Sequence, residues 1–126
     1  MMANYFQTLG YTGMRVDLKD FSEPALMWWT GKENDAYRPD LTCFKNDAKK
    51  TTIILEAETC ETIAIDHTRE QFKLFSAHAK HIGAEFHVVV PKFCTRYNQQ
   101  ISGLDLVNEV EKAWGITIHH KWWPKD

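Results

Sequence analysis

Apolar residues recur at helical spacing in two stretches of the chain. Within residues 66–83 they lie three and four positions apart, which predicts one buried helix face and a helix end at Gly83. The apolar positions of this face are Phe72, Phe75, Ala79 and Ile82. Residues 102–115 repeat the pattern, with Ser102 as a candidate cap and Gly115 as the end. The apolar positions of the second face are Leu104, Val107, Val110 and Trp114. The sequence therefore predicts two amphipathic helices.

Shorter apolar stretches rich in β-branched residues predict strands. They cover residues 37–44, 51–60, 84–91 and 116–123. The lysine-rich stretch "KNDAKK" between the first two reads as a turn, so residues 40–60 are expected to form an antiparallel hairpin. The run Ile53, Ile54 and Leu55 is apolar on both faces of its strand, which is typical of a central strand.

The first 35 residues carry weaker signals. A short helix is expected to end near Gly10, and "SEPALMWW" predicts a helix capped by Ser22, followed by a loop at residues 31–35. The element order from residue 37 is then β, β, α, β, α, β. This order predicts a single domain over residues 1–126 of the α/β or mixed α+β class, with helices packed on a central mixed sheet.

Composition narrows the functional classes. The chain has 126 residues, 44% of them apolar, and no apolar run is long enough to span a membrane. The N-terminus lacks the pattern of a signal peptide, and the net charge of -2 does not indicate a general nucleic-acid binder. The three cysteines form no CxxC pair, so we expect no disulfide framework and a cytoplasmic location.

Two glutamates interrupt the predicted central strand. Glu56 and Glu58 are two positions apart and therefore project from the same face. Two like charges on a central strand repel each other and resist burial, so water, a basic partner, protonation or a metal ion must offset them. Across the predicted hairpin, Asp40 lies opposite Glu56. The three carboxylates are either a candidate metal site or the polar residues of a half-exposed strand.

The motif "RPD", fifteen intervening residues and then "EAE" after "IIL" resembles the PD-(D/E)XK phosphodiesterase superfamily. The resemblance covers roughly residues 36–91. It implies a restriction endonuclease-like core, in which a helix precedes a three-stranded hairpin sheet that is followed by a helix and a further strand. Asp40 and Glu56 resemble the metal-binding carboxylates of the family. Glu58 departs from the pattern, because it stands where most members have lysine, although some restriction enzymes carry glutamate there.

The resemblance implies a Mg²⁺- or Mn²⁺-dependent hydrolysis of DNA. Asp40, Glu56 and Glu58 are the implied catalytic residues and metal ligands, together with the backbone carbonyl of Ala57. Glu58 would bind metal or accept a proton from the attacking water. DNA is the expected partner, no membrane is expected, and a homodimer is compatible with duplex cleavage. The alternative is a degenerate nuclease fold that binds nucleic acid or protein without catalysis.

Several polar residues are candidates for nucleic-acid contact. Arg69, Gln71 and Lys73 lie on the helix that follows the motif, and Lys49 and Lys50 lie in the hairpin turn. Each has an ordinary alternative, since Gln71 can form a capping box with Thr68 and lysines are common on solvated surfaces. The family often adds an acid from its first helix, and Glu23 or Glu33 can fill that role.

Overall fold

The computed structural model describes residues 2–17, 22–29 and 36–123, a mixed α+β arrangement. The described elements comprise three helices, a five-stranded sheet and a two-stranded hairpin. The helices are α1 (Met2–Thr8), α2 (Asp66–Ile82) and α3 (Gly103–Trp114). The strands are β1 (Thr12–Val16), β2 (Leu41–Phe44), β3 (Thr52–Ala57), β4 (Glu85–Val89), β5 (Phe93–Arg96), β6 (Gln99–Ser102) and β7 (His120–Trp122).

The main sheet has the strand order β1-β2-β3-β4-β7 and is mixed. The β1–β2 and β2–β3 pairs are antiparallel, whereas the β3–β4 and β4–β7 pairs are parallel. β3 is therefore the middle strand, as its run of apolar residues predicts. Ile53, Ile54 and Leu55 are all buried, because both faces of the sheet are covered.

An apolar cluster lies on each face of the sheet. Ile54 packs on one face with Phe72 of α2 and Val107 of α3. Leu55 projects to the other face, where it belongs to a smaller cluster with Phe6 of α1. The alternation of side chains along β3 therefore divides the core into two layers. It also assigns Glu56, two positions from Ile54, to the face covered by α2 and α3.

The structure confirms the short N-terminal helix, the hairpin, both amphipathic helices and the strand at β4, but it corrects several expectations. Residues 22–29 are not helical. Met27 instead pairs with Tyr37 through two backbone hydrogen bonds, and Arg38 donates to the carbonyl of Pro24. This long-range pairing outweighs the local cap signal at Ser22. The expected loop at residues 31–35 lies outside the described residues. β1 and the β5–β6 hairpin were not predicted.

The start of α2 also differs from the expectation. The residue at the cap position is Ile65, which provides no side-chain hydrogen bond, so the Thr68–Gln71 capping box is wrong. The Thr68 hydroxyl instead donates to the carbonyl of Thr62 at 2.7 Å. Ile82, expected on the buried face, is half exposed. At α3 the expectation is confirmed, because Ser102 caps the helix by accepting from the backbone N–H of Asp105.

A disulfide joins Cys60 to Cys94, contrary to the expectation from the cysteine pattern. The two residues are 34 positions apart, but each follows one of two neighbouring parallel strands. Since the carboxyl ends of parallel strands meet at one edge of a sheet, the fold brings them together. The third cysteine, Cys43, is free and buried.

Within the described part of the chain, no helix combines the length and the apolar character needed to cross a membrane.

Removing the disulfide should destabilise the protein. The variant Cys60→Ser is expected to lose about 3–4 kcal/mol of unfolding free energy, because the unfolded chain gains the freedom of a loop of 34 residues. Urea denaturation measures this loss. Reductant should lower the stability of the wild type to that of the variant and leave the variant unchanged. A variant as stable as the oxidised wild type would contradict the expectation.

Candidate metal centre

Asp40 and Glu56 lie where strands β2 and β3 diverge. The antiparallel ladder ends at the pair Leu41 and Leu55, and the next two residues are Asp40 and Glu56. Beyond this pair, hydrogen bonds between backbone N–H groups and carboxyl side chains replace the backbone–backbone bonds of the ladder. The backbone N–H of Asp40 donates to Glu56 Oε1, and that of Ala57 donates to Asp40 Oδ2, both at 2.8 Å. These two hydrogen bonds hold both carboxyl groups at the end of the hairpin.

Glu56 is the most deeply buried of the carboxylates at this site, with 3% of its surface exposed. The pKa of Glu56 is raised to about 9, chiefly by burial and also by the charges of Asp40, Glu58 and Asp17, while the hydrogen bond from Asp40 opposes the rise. Burial also raises the pKa of Asp40. Without a cation, Glu56 is therefore protonated near neutral pH.

Glu58 continues the same edge of the sheet beyond β3. Its backbone N–H donates to the carbonyl of Val89 at 2.9 Å, which extends the pairing with β4. Its side chain accepts from the Thr62 hydroxyl at 2.6 Å. Burial raises the pKa of Glu58, the bond from Thr62 lowers it, and the charge of Asp40 raises it. The charge of Asp40 therefore acts on both Glu56 and Glu58, and the Thr62 hydroxyl orients Glu58.

A fourth acid, Asp17, joins this group. It follows β1, and its backbone N–H donates to the carbonyl of Asp40 at 2.9 Å. Its charge raises the pKa values of Asp40 and Glu56. We call Asp17, Asp40, Glu56 and Glu58 the carboxylate cluster. Asp17 was not predicted as a site residue because strand β1 was not predicted. Its signal in the sequence is its position as an acid directly after the polar–apolar stretch "TGMRV".

The sequence offered two N-terminal acids, Glu23 and Glu33, as candidates to join the site. Glu23 forms an ion pair with Arg38 at 3.4 Å. Glu33 lies outside the described residues.

No cation offsets the cluster from within the described residues. The charged groups that shift the pKa values of Asp40, Glu56 and Glu58 are all carboxylates. Among the described residues, no lysine therefore replaces the one that the motif lacks at position 58.

The candidate nucleic-acid contacts lie on helix α2 and in the β2–β3 turn. Arg69 forms ion pairs with Asp66 and Glu70. Lys73 is exposed on α2, and Gln71 is half buried on the same helix. Lys49 and Lys50 lie in the exposed turn at the opposite end of the β2–β3 hairpin, beyond four ladder pairs. The structure therefore does not bring these two lysines to the carboxylate cluster.

The donor set of the cluster suits a hard divalent cation. Asp40 Oδ1 and Glu56 Oε2 accept no hydrogen bond from the described residues, so each carboxyl keeps one oxygen for another partner. Oxygen ligands of this kind, together with waters, are what Mg²⁺ prefers. Within residues 2–17, 22–29 and 36–123, no three His, Cys, Asp or Glu side chains are already grouped as metal ligands. The fit therefore depends on the chemistry of the donors, and side-chain rotations are required to bring them onto one ion.

Comparisons of the chain with protein-family models, curated proteins and solved structures gave no match. A functional conclusion must therefore come from the carboxylate cluster and its surroundings.

The buried glutamate should make stability depend on pH in an unusual direction. Folded Glu56 keeps a proton that the unfolded chain loses above about pH 4.5, so its contribution to stability is complete below that pH and declines as pH rises toward 9. The variant Glu56→Gln keeps the hydrogen bond from Asp40 without this titration. At about pH 8, without divalent ions, it should be more stable than the wild type by roughly 2 kcal/mol or more.

Thermal unfolding between about pH 5 and pH 9 measures this difference. The control is Glu61→Gln, which changes an exposed carboxylate outside the cluster and should follow the wild-type profile. If Glu56→Gln and the wild type lose stability in parallel as pH rises, Glu56 does not carry the proposed proton.

Proposed function

We propose that this protein is a metal-dependent phosphodiesterase that hydrolyses DNA with Mg²⁺ or Mn²⁺. The observation that carries the proposal is Glu56, a buried carboxyl held beside Asp40 and Glu58 with no cation from the described chain to offset them. A divalent ion would supply that offset. Asp40 and Glu56 would hold the ion, with Glu58 and the carbonyl of Ala57 as further ligands.

The order of elements supports a restriction endonuclease-like core as part of the proposal. A helix, α1, precedes the three antiparallel strands β1, β2 and β3. Helix α2 follows, and β4 then returns parallel to β3. This is the order that the resemblance to the PD-(D/E)XK superfamily implies. The acids occupy the start of β2 and the end of β3, which are the positions of the family motif.

The chemistry divides among the residues of the cluster. A bound Mg²⁺ would polarise the phosphate and lower the pKa of the attacking water. Asp40 and Glu56 would hold and orient the ion, since a backbone N–H group already fixes one oxygen of each carboxyl. Glu58 would either complete the ligand set or accept the proton of the attacking water. Thr62 aims Glu58 through its hydroxyl.

We propose DNA as the substrate and a homodimer as the arrangement for duplex cleavage. A cytoplasmic location remains a prediction. The expected lack of disulfides no longer supports it, because Cys60 and Cys94 form one.

The second candidate function is a degenerate nuclease fold that binds DNA without cutting it. Two observations favour it. Glu58 stands in the lysine position with no cation among the charges that act on it, and no metal-ligand group is preformed among the described side chains. This candidate predicts DNA binding that neither needs divalent ions nor leads to cleavage.

Cleavage should depend on the buried pair. The variants Asp40→Asn and Glu56→Gln are each expected to lower the rate of Mg²⁺-dependent DNA cleavage by about 100-fold or more. Each replaces a charged metal ligand by a neutral side chain of similar shape. Gel assays on supercoiled, linear duplex and single-stranded DNA measure the rate, with chelator as the metal-free control. Glu61→Gln should cleave at the wild-type rate. Cleavage that survives both substitutions would rule out the proposed site.

Metal binding should also appear as stabilisation, independently of activity. At about pH 8, Mg²⁺ is expected to raise the midpoint of thermal unfolding of the wild type, because the ion binds only the folded cluster. Glu56→Gln should lose most of this shift, whereas Glu61→Gln should keep it. An equal Mg²⁺ shift in all three proteins would place the ion elsewhere.

A further inference from the structure

The β5–β6 hairpin stands apart from the five-stranded sheet. It forms its own two-stranded sheet between β4 and α3. All six residues 95–100, "TRYNQQ", are exposed, and Tyr97 at the tip is 91% exposed. An antiparallel ribbon with side chains in solvent on both faces contributes little to a core, so its polar surface requires another explanation.

The composition of this hairpin suits a polyanion. Residues 92–103 contain no acid, although the whole chain has a net charge of -2. Arg96 is paired with Glu109, so Lys92 is the cation of the hairpin that forms no ion pair with the described residues. The tip carries Asn98, Gln99 and Gln100, whose amides form no hydrogen bond with the described residues. Amides of this kind pair with the edges of bases in the major groove, and an aromatic ring such as that of Tyr97 can contact the thymine methyl group there.

The turn at the tip keeps Tyr97 outward at a local cost. Arg96 pairs with Gln99, so the loop has two residues, and both have positive φ: 53° at Tyr97 and 64° at Asn98. Turns of this shape favour Asn followed by Gly, because a larger side chain is strained there. Neither turn geometry nor burial therefore explains a tyrosine at this position.

Two connections hold the hairpin rigidly beside the candidate metal centre. Arg96 donates two hydrogen bonds to Glu109 of α3, at 2.6 and 3.1 Å. On the other side, the disulfide links Cys94 to Cys60, with 5.6 Å between their Cα atoms, and Cys60 is two residues after Glu58. Along this path Tyr97 at the tip lies within roughly 23 Å of Glu58. This distance is the length of about seven base pairs of duplex DNA.

We propose that the β5–β6 hairpin binds the major groove of duplex DNA, with Tyr97, Asn98, Gln99 and Gln100 as the contacting residues. The major groove admits a two-stranded β-ribbon. This inference rests on the proposed function and deepens it, because it identifies duplex DNA as the substrate and places its contacts within roughly 23 Å of Glu58. Arg96 positions the hairpin, since its guanidinium is occupied by Glu109.

The test measures binding of a labelled mixed-sequence duplex of about 30 base pairs, and of its single strand, by fluorescence anisotropy without divalent ions. One variant combines Tyr97→Asn with Asn98→Gly, which suits the turn and should keep or raise the unfolding midpoint. A second combines Gln99→Ala with Gln100→Ala. The control combines Asn108→Ala with Lys112→Ala, at exposed positions of α3. Both hairpin variants should bind duplex at least about tenfold more weakly than the wild type, and the control within about twofold.

Each outcome bears on the proposal. Wild type that does not bind duplex, hairpin variants that bind within twofold of wild type, or equal losses for duplex and single strand would each overturn groove binding. Metal-dependent cleavage that the hairpin variants do not change would support the phosphodiesterase proposal and contradict the proposal that the hairpin binds DNA. Selective loss of duplex binding in a protein that never cleaves DNA would support the hairpin site and leave the phosphodiesterase proposal without support.

Discussion

The burial of Glu56 at the end of the central strand is the constraint on which the rest of the site depends. Its carboxyl accepts from Asp40, whose own carboxyl accepts from Ala57, so the two acids replace the last ladder bonds of the β2–β3 hairpin. This arrangement fixes the acids and also crowds their charges. Protonation or a cation must relieve the crowding, because no basic side chain among the described residues does so.

The parallel pairing of β3 and β4 explains why other features lie at the same edge of the sheet. The segments that follow the two strands are neighbours, so Glu58 and its partner Thr62 lie close to the disulfide between Cys60 and Cys94. The β5–β6 hairpin begins at this edge. The acids, the covalent link and the exposed ribbon therefore form one continuous region, although they are distant in sequence.

Most strands of the main sheet, and the fact that Glu56 and Glu58 lie together, could be predicted from local sequence patterns. The run Ile53 to Leu55 predicted the central strand, and strand periodicity placed Glu56 and Glu58 together. Non-local interactions account for the failures. Residues 22–29 carry a helix-cap signal, but the pairing of Met27 with Tyr37 keeps them non-helical. Asp17 lies in the cluster because it follows β1, a strand that was not predicted. The disulfide depends on strand topology, which cysteine spacing does not encode.

The protonation state of Glu56 tests the central claim most directly. Carbon-13 NMR of the glutamate carboxyl groups, with Glu56→Gln to assign the resonance, reports whether this side chain carries a proton. At about pH 7 Glu56 should be protonated without divalent ions and should become ionised when Mg²⁺ is added. A carboxyl that is already ionised without metal, or that stays protonated with Mg²⁺, would contradict the account.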